Sequence, residues 1–247
     1  MTQINMNHIA KYWVIVPAAG LGKRLGAEKP KQYLSIHSKA IIWHTLFCLI
    51  NHPSIHKIIV AIAQEDPYWP EIETSLASSK IIATQGGATR CASVYQALLT
   101  LQKSADPDDW ILVHDAVRPC LQRAQLDHLI HTLKDHPVGG LLGVRVTDTL
   151  KKTDSTHQVL NTLDRTHLWQ AQTPQLFRYQ LLMDSLKNAR MQHQKMTDEA
   201  SAISFFGHQP MMVEGVSTNI KITYPEDLVL AASILRCATI STALEKV

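Results

Sequence analysis

Small side chains and basic side chains stand together in one short stretch near the N-terminus. In chain order, the stretch contains Ala18, Ala19, Gly20, Gly22, Lys23, Arg24, Lys29 and Lys31. Small residues allow the backbone to approach a bulky ligand closely. Backbone N–H groups beside cations bind anions, most often phosphate. We therefore predict that this stretch binds phosphate groups.

The spacing of these residues excludes two common phosphate-binding loops. A P-loop has Ser or Thr directly after Gly-Lys, whereas Arg24 follows Gly22-Lys23 here. The dinucleotide fingerprint needs a third glycine three residues after the second, and Leu25 occupies that position. The remaining interpretation is a nucleoside triphosphate loop of another kind. A glycine-rich turn with solvated charges is the alternative.

A second candidate stretch begins where the apolar run Trp110–Val113 ends, at His114 and Asp115, with Arg118 shortly after. In open parallel sheets, ligands bind beyond the carboxyl ends of the strands. There the Asp115 carboxylate can accept from a hydroxyl group or lie near Mg²⁺, and Arg118 can bind a phosphate with two parallel hydrogen bonds. The alternative is an Asp115–Arg118 ion pair within a turn. His114 alone is typical of a packed imidazole, and we assign it no catalytic role.

A third candidate stretch is the Gly86-Gly87 turn, which leads into a predicted helix through Leu99. The N-terminus of that helix offers unpaired N–H groups and a partial positive charge. Ser93, one turn into the helix, can hydrogen-bond a ligand beside this end. A plain exposed helix serine is the alternative.

Alternating apolar runs and helical segments must position these three stretches. Predicted strands cover residues 13–16, 57–63, 81–84, 110–113, 138–146, 211–215 and 218–222. Predicted helices cover residues 41–50, 67–75, 122–135, 174–188, 197–203 and 225–234, with Thr197 at or near one N-cap. The alternation predicts an α/β fold whose mostly parallel sheet has helices on both faces. A length of 247 residues suits a single domain spanning 1–247.

The alternation stops between Thr147 and Gln170, where the chain is polar and reads as two short strands, 149–152 and 158–163. A hairpin standing off the main sheet is poorly stable alone. Packing against a second copy of the protein is the simplest way to stabilise it. We therefore predict a dimerisation arm at about residues 147–170, hereafter the arm, with an ordinary surface hairpin as the alternative.

The overall composition excludes several classes of function. A net charge of +3 gives no general basic surface, so we predict no nucleic-acid partner. No run reaches the length of about 18 apolar residues that a membrane span requires, and the N-terminus has no apolar signal core. The four cysteines are far apart and form no Cys-x2-Cys pair, which argues against zinc and a disulfide framework. This pattern predicts a cytoplasmic location.

Six motifs spread over residues 13–235 resemble one known family. They are Pro-Ala-Ala-Gly-x-Gly-x-Arg with Pro-Lys-Gln-Tyr (17–24 and 30–33), Gly-Gly-x-x-Arg-x-x-Ser-Val (86–94), His-Asp-Ala-x-Arg-Pro (114–119), Asp-Arg-x-x-Leu-Trp with Gln-Thr-Pro-Gln (164–175), Thr-Asp-Glu-Ala-Ser (197–201) and Asn-Ile-Lys-Ile-Thr (219–223). Each motif is weak alone, but the six in this order are specific. Together they resemble the 2-C-methyl-D-erythritol 4-phosphate cytidylyltransferases of the non-mevalonate isoprenoid pathway.

The resemblance implies a Rossmann-like sheet of the nucleotidyltransferase type. It also implies a homodimer that uses Mg²⁺ to join CTP and methylerythritol phosphate, giving the CDP-alcohol and pyrophosphate. By family pattern, Arg24 and Lys31 stabilise the pentacoordinate phosphate, while Lys221 and a neighbouring subunit's Arg165 position the incoming phosphate. The residues that match the nucleotide site are Ala18, Ala19, Gly20, Gly22, Gly87 and Ser93. Those that match the polyol phosphate or metal site are Asp115, Arg118, Thr149, Thr173 and Thr197, with Asp115 as the candidate metal ligand.

Two other functions stay open at this point. A sister cytidylyltransferase acting on ribitol 5-phosphate has the same fold and CTP loop, and only its acceptor pocket differs. Asp164 and Arg165 favour methylerythritol phosphate modestly. A non-catalytic nucleotide-binding regulator on the same scaffold is disfavoured by Arg24, Lys31 and Lys221, because a protein that only binds CTP has no need of cations for phosphoryl transfer.

Overall fold

The computed structural model describes residues 10–20 and 29–244, with the side chains described up to residue 238. The strands are β1 (Tyr12–Pro17), β2 (Ser35–Ile36), β3 (Lys39–Ala40), β4 (Ile55–Ile62), β5 (Ile81–Gln85), β6 (Trp110–Val113), β7 (Gly139–Arg145), β8 (Lys151–Thr153), β9 (Val159–Thr162), β10 (Trp169–Arg178) and β11 (Met211–Glu214). The α-helices are α1 (Ile41–Ile50), α2 (Trp69–Leu76), α3 (Arg90–Thr100), α4 (Arg123–Leu133), α5 (Tyr179–Met191), α6 (Glu199–Phe205) and α7 (Pro225–Leu244). A short 3-10 helix covers Lys31–Tyr33.

Seven strands form the central sheet, in the order β11-β7-β10-β6-β1-β4-β5. Strand β1 is parallel to both β4 and β6, β4 is parallel to β5, and β11 is parallel to β7. Strand β10 is antiparallel to both of its neighbours, β6 and β7. The predicted α/β fold with a mostly parallel sheet is therefore confirmed.

Side chains of β1 alternate between two cores, as the period of two in a strand requires. Val14 and Val16 belong to a core that also contains the buried faces of α1, α2 and α4. Trp13 and Ile15 belong to the opposite core, with α3, α5 and α6. Helices thus cover both faces of the sheet, as predicted.

The prediction of a helix beginning at Pro174 is wrong. Residues 174–178 lie in β10, and the helix α5 begins only at Tyr179. Pairing between β10 and β7 is irregular between Ala171 and Gln175, so Pro174 lies where a missing N–H breaks no regular ladder bond. This irregularity leaves Thr173 available for contacts beyond the sheet.

The predicted strand over residues 218–222 is also wrong. The segment contains a turn and a bend, and the residues that follow belong to no strand. The Ile222 amide donates to the Val117 carbonyl at 2.9 Å. Ile222 also packs in a third core with Val117 and α7 residues such as Ala231. The segment is therefore held against the loop that follows β6, which brings Lys221 to the carboxyl end of that strand.

The arm contains the two predicted strands, as β8 and β9, paired antiparallel. Every residue of both strands is exposed, and Val159 and Leu160 are each about 60% exposed (61% and 60%).

Among the helices in the described part of the chain, none combines the length and apolar character needed to cross a lipid bilayer.

Candidate functional site

A cleft of ≈ 630 Å³ opens beyond the carboxyl ends of β1 and β6. Its walls come from the segments 17–20, 31–32, 87–93 and 115–117, together with Lys221. Eight residues that the sequence predicted for the site line it, namely Ala18, Ala19, Gly20, Lys31, Gly87, Ser93, Asp115 and Lys221. Gly22 and Arg24 lie outside the described residues.

Gln32 joins residues 18–20, which follow β1 and are hereafter called the first loop, to the 3-10 helix. Its side-chain amide donates to the carbonyls of Ala18 (2.7 Å) and Gly20 (3.1 Å), and the side chain is buried. Because Lys31 precedes Gln32 on the same short helix, these two bonds fix Lys31 relative to the loop. The Lys31 ammonium donates to the Ile222 carbonyl at 3.2 Å. Lys31 is therefore held against the segment that contains Lys221, and both residues line the cleft.

The Gly86-Gly87 turn packs closely against the first loop. A Cβ on Gly86 would lie 2.6 Å from the Ala19 Cβ and 2.9 Å from the Ser93 hydroxyl, so only glycine fits there without displacement. The Ser93 oxygen accepts from the Gly87 amide at 3.0 Å. Ser93 is 2% exposed, so the alternative of a plain exposed helix serine is wrong.

Asp115 lies among three cations. Its Oδ1 accepts from Arg90 Nε at 2.9 Å, and its Oδ2 lies 2.9 Å from Lys221 Nζ and 3.5 Å from Arg118 Nε. Burial opposes the charge on Asp115, but Arg90, Lys221 and Arg118 together hold the pKa of this carboxyl well below its usual value. Asp115 is therefore ionised at neutral pH. The ion pair with Arg118, which the sequence analysis gives as the alternative, is present as one part of a larger cluster.

The sequence did not identify the role of Arg90 or of Glu199. Arg90 NH1 and NH2 donate to the two oxygens of Glu199, at 2.7 and 2.9 Å. Burial opposes the charge on Arg90, yet Glu199 and Asp115 outweigh it and raise the pKa of Arg90. Burial raises the pKa of the fully buried Glu199, and Arg90 opposes that rise. Arg90, Asp115, Arg118, Glu199 and Lys221 are hereafter called the ion-pair cluster.

Buried hydrogen bonds behind the cluster define the tautomer of His114. The Asp115 amide donates to Thr173 Oγ1 at 3.0 Å, so the Thr173 hydroxyl proton can go to His114 Nδ1, 2.9 Å away. His114 Nε2 then carries the ring proton and donates to the Arg118 carbonyl at 3.2 Å. Burial lowers the pKa of His114 to about 4. The imidazole is thus a neutral, packed support, in agreement with the sequence analysis.

This neutral imidazole makes the stability of the protein depend on pH. The ordinary pKa of 6.5 exceeds the folded value of about 4, so the unfolded chain binds more protons between these two pH values. The stabilisation is complete above pH 6.5 and is lost as pH falls towards 4, with a slope of at most about 1.4 kcal/mol per pH unit. His114→Gln keeps an acceptor and a donor but does not titrate, so we expect a shallower slope in urea unfolding measured over this range. His167→Gln on the exposed arm is the control, and an unchanged slope in His114→Gln would contradict the assignment.

Arg118 and Thr173 lie beside the cleft and support its floor. Arg118 NH1 donates to the Asn219 carbonyl at 2.6 Å, and the Asn219 side-chain amide donates to the Thr173 carbonyl at 2.8 Å. Both residues are buried. Their contacts hold the segment that contains Lys221 against the end of β6. Their predicted contact with substrate stays a prediction.

Thr149, Arg165 and Thr197 are not among the residues that line the cleft. Thr149 and Arg165 are exposed on the arm, where Arg165 NH1 donates to the Thr147 carbonyl. Thr197 precedes the N-cap of α6, which is Asp198. Thr197 lies two residues before Glu199, which bonds Arg90 and so belongs to the ion-pair cluster.

The described residues do not fit a resident magnesium ion. No group of three or more His, Cys, Asp or Glu side chains within the described ranges could hold a metal. Both oxygens of Asp115 already face cations. Direct ligation of a metal by Asp115 stays a prediction that this geometry does not support.

Positive charge exceeds negative charge at the cleft. Within the described ranges, four cations line or border the cleft (Lys31, Arg90, Arg118 and Lys221), against the two carboxylates of Asp115 and Glu199. A cationic cleft at the carboxyl ends of parallel strands suits a polyanion such as a triphosphate. Cations converging from several segments can also stabilise charge that develops during phosphoryl transfer.

Comparison with known proteins gives a consistent picture. Residues 12–237 match the family model for 2-C-methyl-D-erythritol 4-phosphate cytidylyltransferase, IspD. The enzyme of that name from Dechloromonas aromatica is 50% identical over 227 residues, covering 92% of this chain and 98% of its own, and the Pseudomonas fluorescens SBW25 enzyme is 46% identical over 218 residues, covering 88% and 92%. The crystal structure of the Francisella tularensis enzyme superimposes with a TM-score of 0.79 at 37% identity, covering 91% of this chain and 100% of its own. A crystal structure of 4-diphosphocytidyl-2C-methyl-D-erythritol synthase gives 0.80 at 34% identity, covering 92% and 100%.

Proposed function

The chain belongs to the 2-C-methyl-D-erythritol 4-phosphate cytidylyltransferase family, and we propose that it transfers CMP from CTP to 2-C-methyl-D-erythritol 4-phosphate. The products are 4-diphosphocytidyl-2-C-methyl-D-erythritol and pyrophosphate, on the route to isoprenoid precursors. The observation that supports this reaction best is the cleft that Lys31 and Lys221 both line beside the glycine turns, with Lys31 bonded to the carbonyl of the residue after Lys221.

In the proposed reaction, a phosphate oxygen of the acceptor attacks the α-phosphorus of CTP. The new P–O bond forms as the bond from the α-phosphorus to the bridging oxygen of the β-phosphate breaks, and pyrophosphate leaves with that electron pair. Two anions must approach each other, so positioning and charge stabilisation provide most of the rate. Lys31 acts at the reacting phosphorus. Arg24 is assigned the same role from the family motif.

The nucleotide is bound by the two glycine turns. Backbone groups of the first loop contact the triphosphate, and the Gly87 turn with Ser93 receives the cytosine and ribose. Close packing of the turns, which Gly86 permits, supports this assignment because it forms one continuous surface from both loops. The residues proposed for the nucleotide site are Ala18, Ala19, Gly20, Gly22, Gly87 and Ser93.

The acceptor occupies the side of the cleft formed by the ion-pair cluster. Lys221 is about two-fifths exposed (40%) and can pair with the acceptor phosphate, while the Asp115 carboxylate can accept from a polyol hydroxyl. Arg118, Thr173 and Thr197 complete this side. Arg165 and Thr149 reach it from the arm of a second subunit.

The exposure of the arm supports a homodimer as part of the proposal. The apolar side chains of Val159, Leu160 and Leu163 are 61%, 60% and 39% exposed on a two-stranded hairpin. Such a hairpin needs packing partners to be stable, and a second copy supplies them symmetrically. We propose that the arm, about residues 147–170 of one domain spanning 1–247, packs on the partner subunit.

Magnesium enters this reaction with the nucleotide. Mg²⁺ keeps several water ligands and is held mainly by substrate phosphates in many nucleotide enzymes. MgCTP is therefore the proposed substrate, which is compatible with a cleft that has no cage of carboxylates in the described residues. We keep the cytoplasm as the predicted location, on the cysteine pattern of the sequence.

The proposal is tested by supplying MgCTP with each acceptor and measuring release of pyrophosphate. We expect release with 2-C-methyl-D-erythritol 4-phosphate and a CDP-alcohol product of matching mass. Release with ribitol 5-phosphate alone would assign the chain to the sister activity. Release with neither acceptor, while CTP still binds, would indicate a nucleotide-binding regulator.

A further inference from the structure

We propose that Arg90 is a positioning residue, which holds the Asp115 carboxylate and thereby sets where Lys221 lies in the cleft. The inference rests on the proposed function, because it assigns Lys221 to the acceptor phosphate. Arg90 has no role in the reaction as proposed above, although its side chain lines the cleft and is 25% exposed.

The geometry of the Arg90 guanidinium suits a fixed support. Nε donates to one oxygen of Asp115, while NH1 and NH2 donate to both oxygens of Glu199. Glu199 is fully buried on α6, so the fork to Glu199 holds the guanidinium plane in one orientation. Of the three N–H groups that remain, Nε–H is directed at Asp115.

Asp115 transmits this orientation to Lys221. Its Oδ1 is bound by Arg90 and its Oδ2 by Lys221, both at 2.9 Å. The Asp115 backbone is fixed separately by Thr173, so the main freedom left to the residue is rotation of the carboxylate. Without Arg90, Oδ1 loses its donor, and the carboxylate is free to turn towards Arg118 and Lys221. The Lys221 ammonium is then displaced from the acceptor phosphate.

A double-mutant cycle tests whether Arg90 acts through Asp115. We expect Arg90→Gln to lower kcat/KM for the acceptor by about 10²-fold, the scale of a misplaced reacting group, with little change in KM for CTP. Asp115→Asn should have a similar effect, and the combined variant should be no worse than Asp115→Asn alone. Effects that multiply, or a rise confined to KM for CTP, would overturn the proposal because Arg90 would then contact substrate itself.

A second pair of variants separates positioning from stability. Arg90→Gln leaves the buried Glu199 carboxylate without its partner, which by itself destabilises the fold. Arg90→Gln combined with Glu199→Gln removes that charge, so we expect the melting temperature to recover while kcat/KM for the acceptor stays low. Recovery of activity together with stability would show a merely structural role and overturn the proposal.

Arg123→Gln is the matched control. Arg123 is an exposed arginine on α4 that is 3.5 Å from Asp127, and its loss should change neither KM. The same assay on the wild-type protein tests the proposed cytidylyltransferase function itself. If it releases no pyrophosphate with 2-C-methyl-D-erythritol 4-phosphate, the proposed function fails. If it does, and the Arg90 variants behave like Arg123→Gln, only the positioning role fails.

Discussion

Lys31→Ala is expected to lower kcat for pyrophosphate release by about 10²–10³-fold, the usual effect of removing one group that stabilises transition-state charge. The KM for CTP should change much less, because the loss falls on charge that develops only as the α-phosphate is attacked. Lys31 is placed for this role by Gln32, which ties the same turn to the first loop. Steady-state kinetics with saturating acceptor measure the effect.

Controls for this variant test charge and folding separately. Lys134→Ala removes an exposed lysine at the end of α4 and should leave kcat unchanged. Lys31→Ala should retain near wild-type thermal stability, since the hydrogen bond from Lys31 to the Ile222 carbonyl is only partly buried and such a bond is worth about 1 kcal/mol. If kcat instead stays at the wild-type value while the KM for CTP rises, Lys31 binds the nucleotide equally well in the ground state and the transition state. The proposed role of Lys31 in the transfer step would then be wrong.

Much of the fold could be predicted because its strands are continuous apolar runs. Trp110–Val113 is buried on both faces of the sheet and was predicted with its observed bounds. The Gly86-Gly87 turn and the β8–β9 hairpin are also predictable from local signals, which depend on few distant contacts. The same locality explains the predicted helix at 41–50, which the structure confirms.

Strand β10 could not be predicted because its structure depends on distant partners. Pro174 followed by apolar residues is a typical start of a helix. The segment is instead fixed by β6 and β7 on its two sides, with Gln175 paired to both Val113 and Leu141. Tertiary pairing overrode a local preference, and no local pattern reports that pairing.

At the site, the sequence identifies individual residues but not the distant partners that they contact. Asp115 was identified from its position at a strand end, and its i+3 neighbour Arg118 followed directly. Arg90 belongs to a motif that the sequence analysis used, yet its partner Glu199 is 109 positions away. Two buried carboxylates require cations, but which cations they meet depends on how α3 and α6 pack on the sheet.

Mixing two inactive variants is expected to restore activity if Arg165 acts across the dimer. Arg165→Ala and Lys31→Ala homodimers should each be nearly inactive. In a mixed dimer, the site on the Arg165→Ala subunit has its own Lys31 and receives an intact Arg165 from the other chain. Random exchange makes half of the dimers mixed, each with one complete site, so we expect about a quarter of wild-type activity.

The exposure of the arm supports this arrangement. Arg165 is exposed, donates to the Thr147 carbonyl and is not among the residues lining the cleft of its own chain. Lys31 and Lys221, in contrast, both line the cleft of one chain. A mixture of Lys31→Ala and Lys221→Ala subunits therefore leaves one defect in every site and should remain inactive, which makes it the matched control.

The measurement follows pyrophosphate release after differently tagged variants have exchanged subunits, with the mixed dimer isolated through both tags. Isolation removes the uncertainty of exchange, and the purified mixed dimer should then reach about half of wild-type activity because one of its two sites is complete. An isolated Arg165→Ala/Lys31→Ala dimer without activity would show that Arg165 serves its own subunit. Because each site would then carry one defect, the arm would have to fold back onto the cleft of its own chain, and its exposed apolar side chains would need another explanation.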